Sequence, residues 1–270
     1  MSKPSGPVQL IPRPNEERGG GNHGWLKTFH TFSFANYGDS AHTSFGSLRV
    51  INEDRVEPAT GFGTHGHQEF EIFSYIVSGE LQHNDSMGNT EVLKRGDLQM
   101  TSAGTGIRHS EHAHGSDQVH FLQIWSLPSE SKLTPKYFTR HFTDEEKKDK
   151  WATIVAPVKD PSVTLERTAP GPAPVHSPLT LSATLLSPFQ TLPYVLSGAG
   201  PQRKAYVHVI QTSGYKVGPS TGATVKFGAA GQDVQLKEGD GLYVHAPADT
   251  EFKLENVGDR VAEVLLFNLD

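Results

Sequence analysis

The sequence predicts an all-β protein built as two similar antiparallel barrels joined by a short helix. Three observations carry that expectation. Glycine and proline are frequent, 27 and 18 of 270 residues, which suits many short strands and tight turns better than long helices. Runs rich in aromatic and β-branched residues recur between Gly-Asp and Ser-Gly pairs, as strands between turns do. The two halves also share a turn pattern at a separation of about 140 residues, the mark of an internal duplication.

Taken in chain order, "EIFSYIVSGELQHND" reads as two strands around Ser78-Gly79. "VLKRGDLQM" places a turn at Arg95-Gly96-Asp97, and "QVHFLQIWSL" reads as a buried strand. The helix signal is "FTDEEKKDKW", where Thr143 and Glu146 have capping-box spacing, with acids early and lysines late. Beyond it, "AYVHVIQTSGYKV", "VQLKEGDGLYVHA" and "AEVLLFNL" form a second strand series. Ser213-Gly214 answers Ser78-Gly79, and Gly239-Asp240 answers Gly96-Asp97. The expected domains are residues 1–140 and 150–270.

Composition narrows the function. The absence of cysteine excludes disulfides and thiolate metal ligands. A net charge of -6 argues against a chain whose main task is gripping phosphate backbones, so no direct nucleic-acid contact is expected. The N-terminus lacks an apolar secretory stretch, and no segment approaches the roughly 20 apolar residues of a membrane span. The expectation is a soluble protein of the cytoplasm, with the nucleus also compatible.

Two short motifs point to chemistry. "GFGTHGHQEF" puts His65 and His67 two residues apart, and "GIRHSEHAH" repeats the spacing with His109 and Glu111. Residues i and i+2 of a strand share a face. Two neighbouring strands would therefore converge three imidazoles and a carboxylate, a donor set suited to Fe(II), Mn, Co, Ni, Cu or Zn. A six-coordinate ion would keep positions open for reaction. Glu71 shares the parity of His65 and His67 and is a rival carboxylate, or a hydrogen-bond partner of a ligand histidine. His112 and His114 fall on the opposite face. His83, His120, His208 and His245 read as ordinary hydrogen-bonding histidines. Matching the shared turns carries His65, His67, His109 and Glu111 onto Gly200, Gln202, Phe252 and Leu254. The second half thus lacks all four, which favours one metal-binding barrel and one without metal over a chance cluster of core histidines.

"GFGTHGHQEFEIFSYIVSGELQHNDSMGN" and "RGDLQMTSAGTGIRHSE", with "GNHGWLKTFHTFSFANY", "FGSLRVINEDRV" and "LQIWSLP", resemble the pirin family of the cupin superfamily, and most resemble its microbial quercetin 2,3-dioxygenases. The resemblance implies a bicupin of two facing jelly-roll barrels. Its N-terminal domain would hold one divalent metal, Fe(II) first, on His65, His67, His109 and Glu111, and its C-terminal domain none. It implies cleavage of a flavonol such as quercetin with O2 and release of CO, with Glu111 accepting a substrate proton. An apolar cup lined by Phe62, Phe70, Phe73 or Met100 would hold the small aromatic substrate. Some pirins are instead redox-sensing regulators that bind transcription factors, so protein partners form the competing expectation. A monomer is compatible with either. The chain departs from the family pattern at Gly66, Gln68 and Met100, near the expected substrate. The general cupin pattern would nominate Glu71; the pirin pattern selects Glu111.

Overall fold

The computed structural model describes residues 7–270; residues 1–6, the start of the expected 1–140 domain, lie outside the described residues. The chain forms two compact units, one of Gly19–Phe142 with Ile154–Pro178, the other of Thr143–Thr153 and Leu179–Asp270 with the segment ending at Arg18. The chain passes between them four times, so no single cut of the sequence separates them.

The first unit has two sheets. One orders its strands Lys136–His141, Asp97–Ser102, Glu71–Ser78, Val119–Ser126, Leu48–Val56, Leu26–His30 and Gly19–Asn22. The other orders Gly61–His67, Ile107–His114, Glu80–Asp85 and Thr90–Lys94. Neighbours in both are antiparallel. Leu48–Val56 and Glu71–Ser78 are buried along nearly their whole length, and the buried residues include Asn52, Glu53, Asp54, Arg55 and Glu71 as well as the apolar ones. Ile107–His114 alternates buried and open positions, one face turned inward. Val56, Ile76, Leu81, Leu93, Ala113, Val119 and Phe121 form an apolar floor between the sheets, with Trp25, Leu26 and Phe62 packed against it.

The second unit repeats the plan. One sheet includes, in order, the neighbouring strands Gln9–Arg13, Gly241–Pro247, Gln202–Val209, Ala262–Leu269 and Leu179–Leu186; the other runs Thr191–Leu196, Thr250–Asn256, Thr221–Ala229 and Gln232–Glu238. The shared strand order bears out the duplication. The expected jelly-roll architecture is found: each unit is a pair of antiparallel sheets whose strand order does not return to its start, so the sheets do not close into a barrel. The expected helix is one turn, Asp144–Lys147, and its N-terminus is closed by the Thr143–Glu146 capping box. Among the described residues no helix is long and apolar enough to cross a membrane.

The sheet registers also correct the internal alignment. His65 pairs with His109 and His67 with Ile107; the matching pairs in the second unit are Tyr194 with Phe252 and Leu196 with Thr250. Tyr194 and Leu196, not Gly200 and Gln202, stand where the histidines do. The segment from Ser197 to Pro201 is two residues longer than its counterpart from Gln68 to Phe70, and Ser213 lies four residues beyond the end of its strand at Val209 whereas Ser78 ends its own, which together displace the count by six. Phe252 and Leu254 keep their assignment.

Candidate metal centre

His65 and His67 lie on Gly61–His67, and His109 and Glu111 on the adjacent Ile107–His114. The pairing brings three imidazoles together. His109 Nε2 approaches His67 Nε2 at 2.9 Å and His65 Nε2 at 3.1 Å. The ring centroids stand 4.6 to 4.8 Å apart. Two nitrogens bound at right angles, each ~2.1 Å from one ion, would be ~3 Å apart, so this spacing fits cis ligands.

The register slips between His109 and Glu111, so that Glu111 faces Phe62. The extra residue on the Gly61–His67 strand is a β-bulge, which breaks alternation and turns the strand. Gly63, where an added Cβ would meet nothing, lies in it. As a result Phe62 joins the apolar floor although it is three residues from His65. Gly61 is required for close approach: a Cβ there would strike Glu111 O and His112 Cα.

Burial holds His67 down to about 4, helped by the neighbouring His109 and His65. Burial likewise holds His109 down to about 3, with His65 and His83 adding to it. Both rings are therefore neutral at pH 7, the form that offers a lone pair to a metal. Glu111 is 1 % exposed; its Oε1 accepts from Ser74 Oγ at 3.1 Å and its Oε2 from Gln123 Nε2 at 2.8 Å. It sits beside His109 and His83, with one donor atom of each of the three within 4.8 Å of the others, and is not drawn into the three-histidine group.

Glu71 lies elsewhere. Its carboxylate accepts from the backbone N–H groups of His176 and Ser177 and from Ser177 Oγ, at 2.9 to 3.0 Å. It is odd-numbered on a strand whose Ser74 and Ile76 face the interior, so it points to the other side. Phe73 and Met100 share that opposite face as direct cross-strand partners, which corrects their expected place in the substrate cup. Phe62 supports the floor, and its ring meets Trp25 edge-on at 5.2 Å. Phe70 stands beside the cluster's aromatic neighbour, 5.4 Å from the ring of Trp125.

Trp125 and Phe34 form the aromatic wall that the sequence reading missed. Trp125 meets His67 edge-on at 4.8 Å and Phe34 at 5.4 Å. Trp125 is two residues beyond Gln123, which reaches Glu111, and so shares its face; the sequence alone holds no signal for that placement. His83 was missed as well. It is fully buried, 5.3 Å from the ring of His109, and forms with Asp85 another i, i+2 pair on the inner face. His120 does make an ordinary hydrogen bond, Nε2 to Glu53 Oε1 at 3.0 Å. A cleft of about 440 Å³, lined by Gly66, His67, Gln68, Ser86, Gly106, Ile107 and Arg108, opens beside His67. That volume is in the ~300–1,000 Å³ range of small-molecule sites.

The fold and the cluster define a class: a duplicated jelly-roll protein of cupin type, with a histidine and carboxylate donor set in one unit and an apolar core in the other. The comparisons narrow it. The Pirin family model matches residues 13–126. A pirin-like protein of Caulobacter vibrioides is 31% identical over 238 residues, covering 87% of this chain and 98% of that one. The chain belongs to the pirin family. The quercetin 2,3-dioxygenase of Escherichia coli K12 is 51% identical over 131 residues, 48% of this chain. That match spans only 57% of the relative's own length. The crystal structure of the bacterial pirin YhhW of Escherichia coli in complex with nickel(II) has a TM-score of 0.77 and 33% identity, covering 97% of this chain and 99% of that one. The neutral imidazoles and buried carboxylate of this chain fit a divalent transition metal.

Proposed function

We propose that this chain is a metal-dependent dioxygenase of flavonols such as quercetin, opening the heterocycle with O2 and releasing CO. The observation that carries the reading is the convergence of three buried or half-buried imidazole nitrogens beside an aromatic wall. His65, His67 and His109 would hold the ion, and Glu111, next to His109, would complete the donor set. When bound, a divalent ion, Fe(II) by preference, supplies Lewis acidity toward a substrate hydroxyl and access to O2 chemistry.

The chain's own residues do the rest. Trp125 and Phe70 offer flat apolar surface to a planar polyphenol. Ser74 and Gln123 each donate to one oxygen of Glu111 and so fix its carboxylate plane. Glu111 is thereby placed to take the hydroxyl proton of the substrate. The apolar floor below keeps water from the inner side of the site.

Anaerobic loading with Fe(II), then quercetin, then air, tests the proposal. The flavonol absorbance should fall and CO should appear in step with it. A fully loaded protein that leaves the flavonol intact would refute the enzyme and favour the redox-sensing regulator.

A further inference from the structure

The buried neighbour of the cluster, His83, carries a hydrogen-bonding puzzle. Its Nε2 lies 3.3 Å from Asp85 Oδ2. Asp85 is fully engaged as an acceptor: its Oδ1 receives the backbone N–H groups of Met87 and Asn89 at 2.9 and 3.0 Å, and its Oδ2 receives Asn89 Nδ2 at 2.8 Å. A carboxylate so placed requires His83 to present Nε2–H, which leaves the lone pair on Nδ1. That Nδ1 is buried without a partner. On the adjacent ring, His109 turns Nε2 toward His65 and His67. To offer a lone pair there it must carry its proton on Nδ1, and that atom too is buried without a partner. One orphan is an acceptor and the other a donor, on rings whose centroids are 5.3 Å apart. Glu111, the third member of the group, is an acceptor and cannot serve the His83 lone pair.

We propose that Asp85 and His83 are positioning residues for His109: when the site closes on its ion, His109 Nδ1–H donates to His83 Nδ1, and Asp85 fixes the tautomer of His83. This rests on reading the histidine cluster as the metal centre. Ligand histidines are commonly oriented in this way through their second nitrogen; here the orienting group is an imidazole–carboxylate pair on the next strand. The second unit supplies an internal comparison. The partner of Glu111 is His83, and the partner of the equivalent Leu254 is Phe227. Phe227 stacks on Phe252, which stands in the place of His109, at 5.0 Å. The unit without ligands therefore has a phenyl ring where this one has the orienting imidazole.

Three variants separate positioning from packing. His83→Phe keeps the ring on Tyr137, which His83 stacks at 4.9 Å, but removes both nitrogens. His83→Gln keeps an amide donor for Asp85 and an oxygen acceptor for His109. Asp85→Asn keeps its carbonyl on the two backbone N–H groups and so turns NH2 toward His83, which forces the other tautomer. Affinity for Ni(II), read by competition with a coloured chelator, should fall roughly 10–100-fold in His83→Phe and Asp85→Asn and stay within a few-fold of the parent in His83→Gln. The visible bands of Co(II) should change in the first two and match the parent in the third. Thermal unfolding of the metal-free forms checks folding; should His83→Phe fail it, the other two variants decide the matter. Parent-like affinity in His83→Phe and Asp85→Asn overturns the proposal, and so does equal loss in His83→Phe and His83→Gln, which would make His83 a ligand itself. A parent protein that binds no Ni(II) overturns the metal-centre reading beneath it.

Discussion

Glu71 and Glu111 are the two carboxylates that the sequence nominates, and Glu71→Ala separates their roles. Glu71 is fully buried and accepts from His176 N, Ser177 N and Ser177 Oγ. Truncation strands two backbone N–H groups at about 1–3 kcal/mol each. The Ser177 hydroxyl keeps Ser126 Oγ at 2.7 Å and adds little. Burial also raises the Glu71 pKa above the ordinary carboxylate value, so removing the group relieves part of its desolvation cost. The expected net loss is about 2–4 kcal/mol, read from the urea midpoint at unchanged m, with metal content equal to the parent's. Glu111→Ala should do the reverse, losing most of the metal with a small change in midpoint, since Ser74 and Gln123 are side chains free to turn. Full metal in Glu111→Ala, with loss in an otherwise stable Glu71→Ala, would show that the wrong carboxylate has been assigned to the ion.

Further outcomes follow from the same geometry. In the metal-free protein, His67 and His109 sit at about 4 and about 3 against an unfolded value of 6.5. Their contribution to stability is complete above pH 6.5 and is lost as pH falls through those values, so His109→Phe should flatten the acid side of a plot of urea midpoint against pH. Asp54 has the opposite sign: burial, with Glu111 and Glu53 adding to it, lifts it to about 7, and its Oδ1 has no hydrogen-bond partner. Its contribution is present below 3.8 and lost as pH rises through about 7, so Asp54→Asn should stabilise the metal-free protein above pH 7, by at most about 4 kcal/mol. A neutral or destabilising result would contradict that burial argument. Gly61→Ala should force apart the two strands that carry His65, His109 and Glu111, lowering thermal stability and metal content together, whereas Gly63→Ala, with open space around it, should leave the metal in place.

The chain by itself determined the elements and the shortlist of ligands. Spacing of two along a strand is a local property, so the order of residues alone puts His65 with His67, and His109 with Glu111, on shared faces. The capping box at Thr143 and the strand runs were legible for the same reason. What the sequence could not determine was which strands become neighbours and where alternation fails. The bulge near Gly63 put Phe62 under the site. The placement of Glu80–Asp85 beside Ile107–His114 brought His83 to His109. The face chosen by Glu71–Ser78 sent Glu71 and Phe73 away and admitted Ser74. Pairing between strands is decided by burial of one whole face against another, a condition set by residues far apart in the chain. A two-residue period carries no record of it, and only the tertiary structure assigned those side chains to the site or away from it.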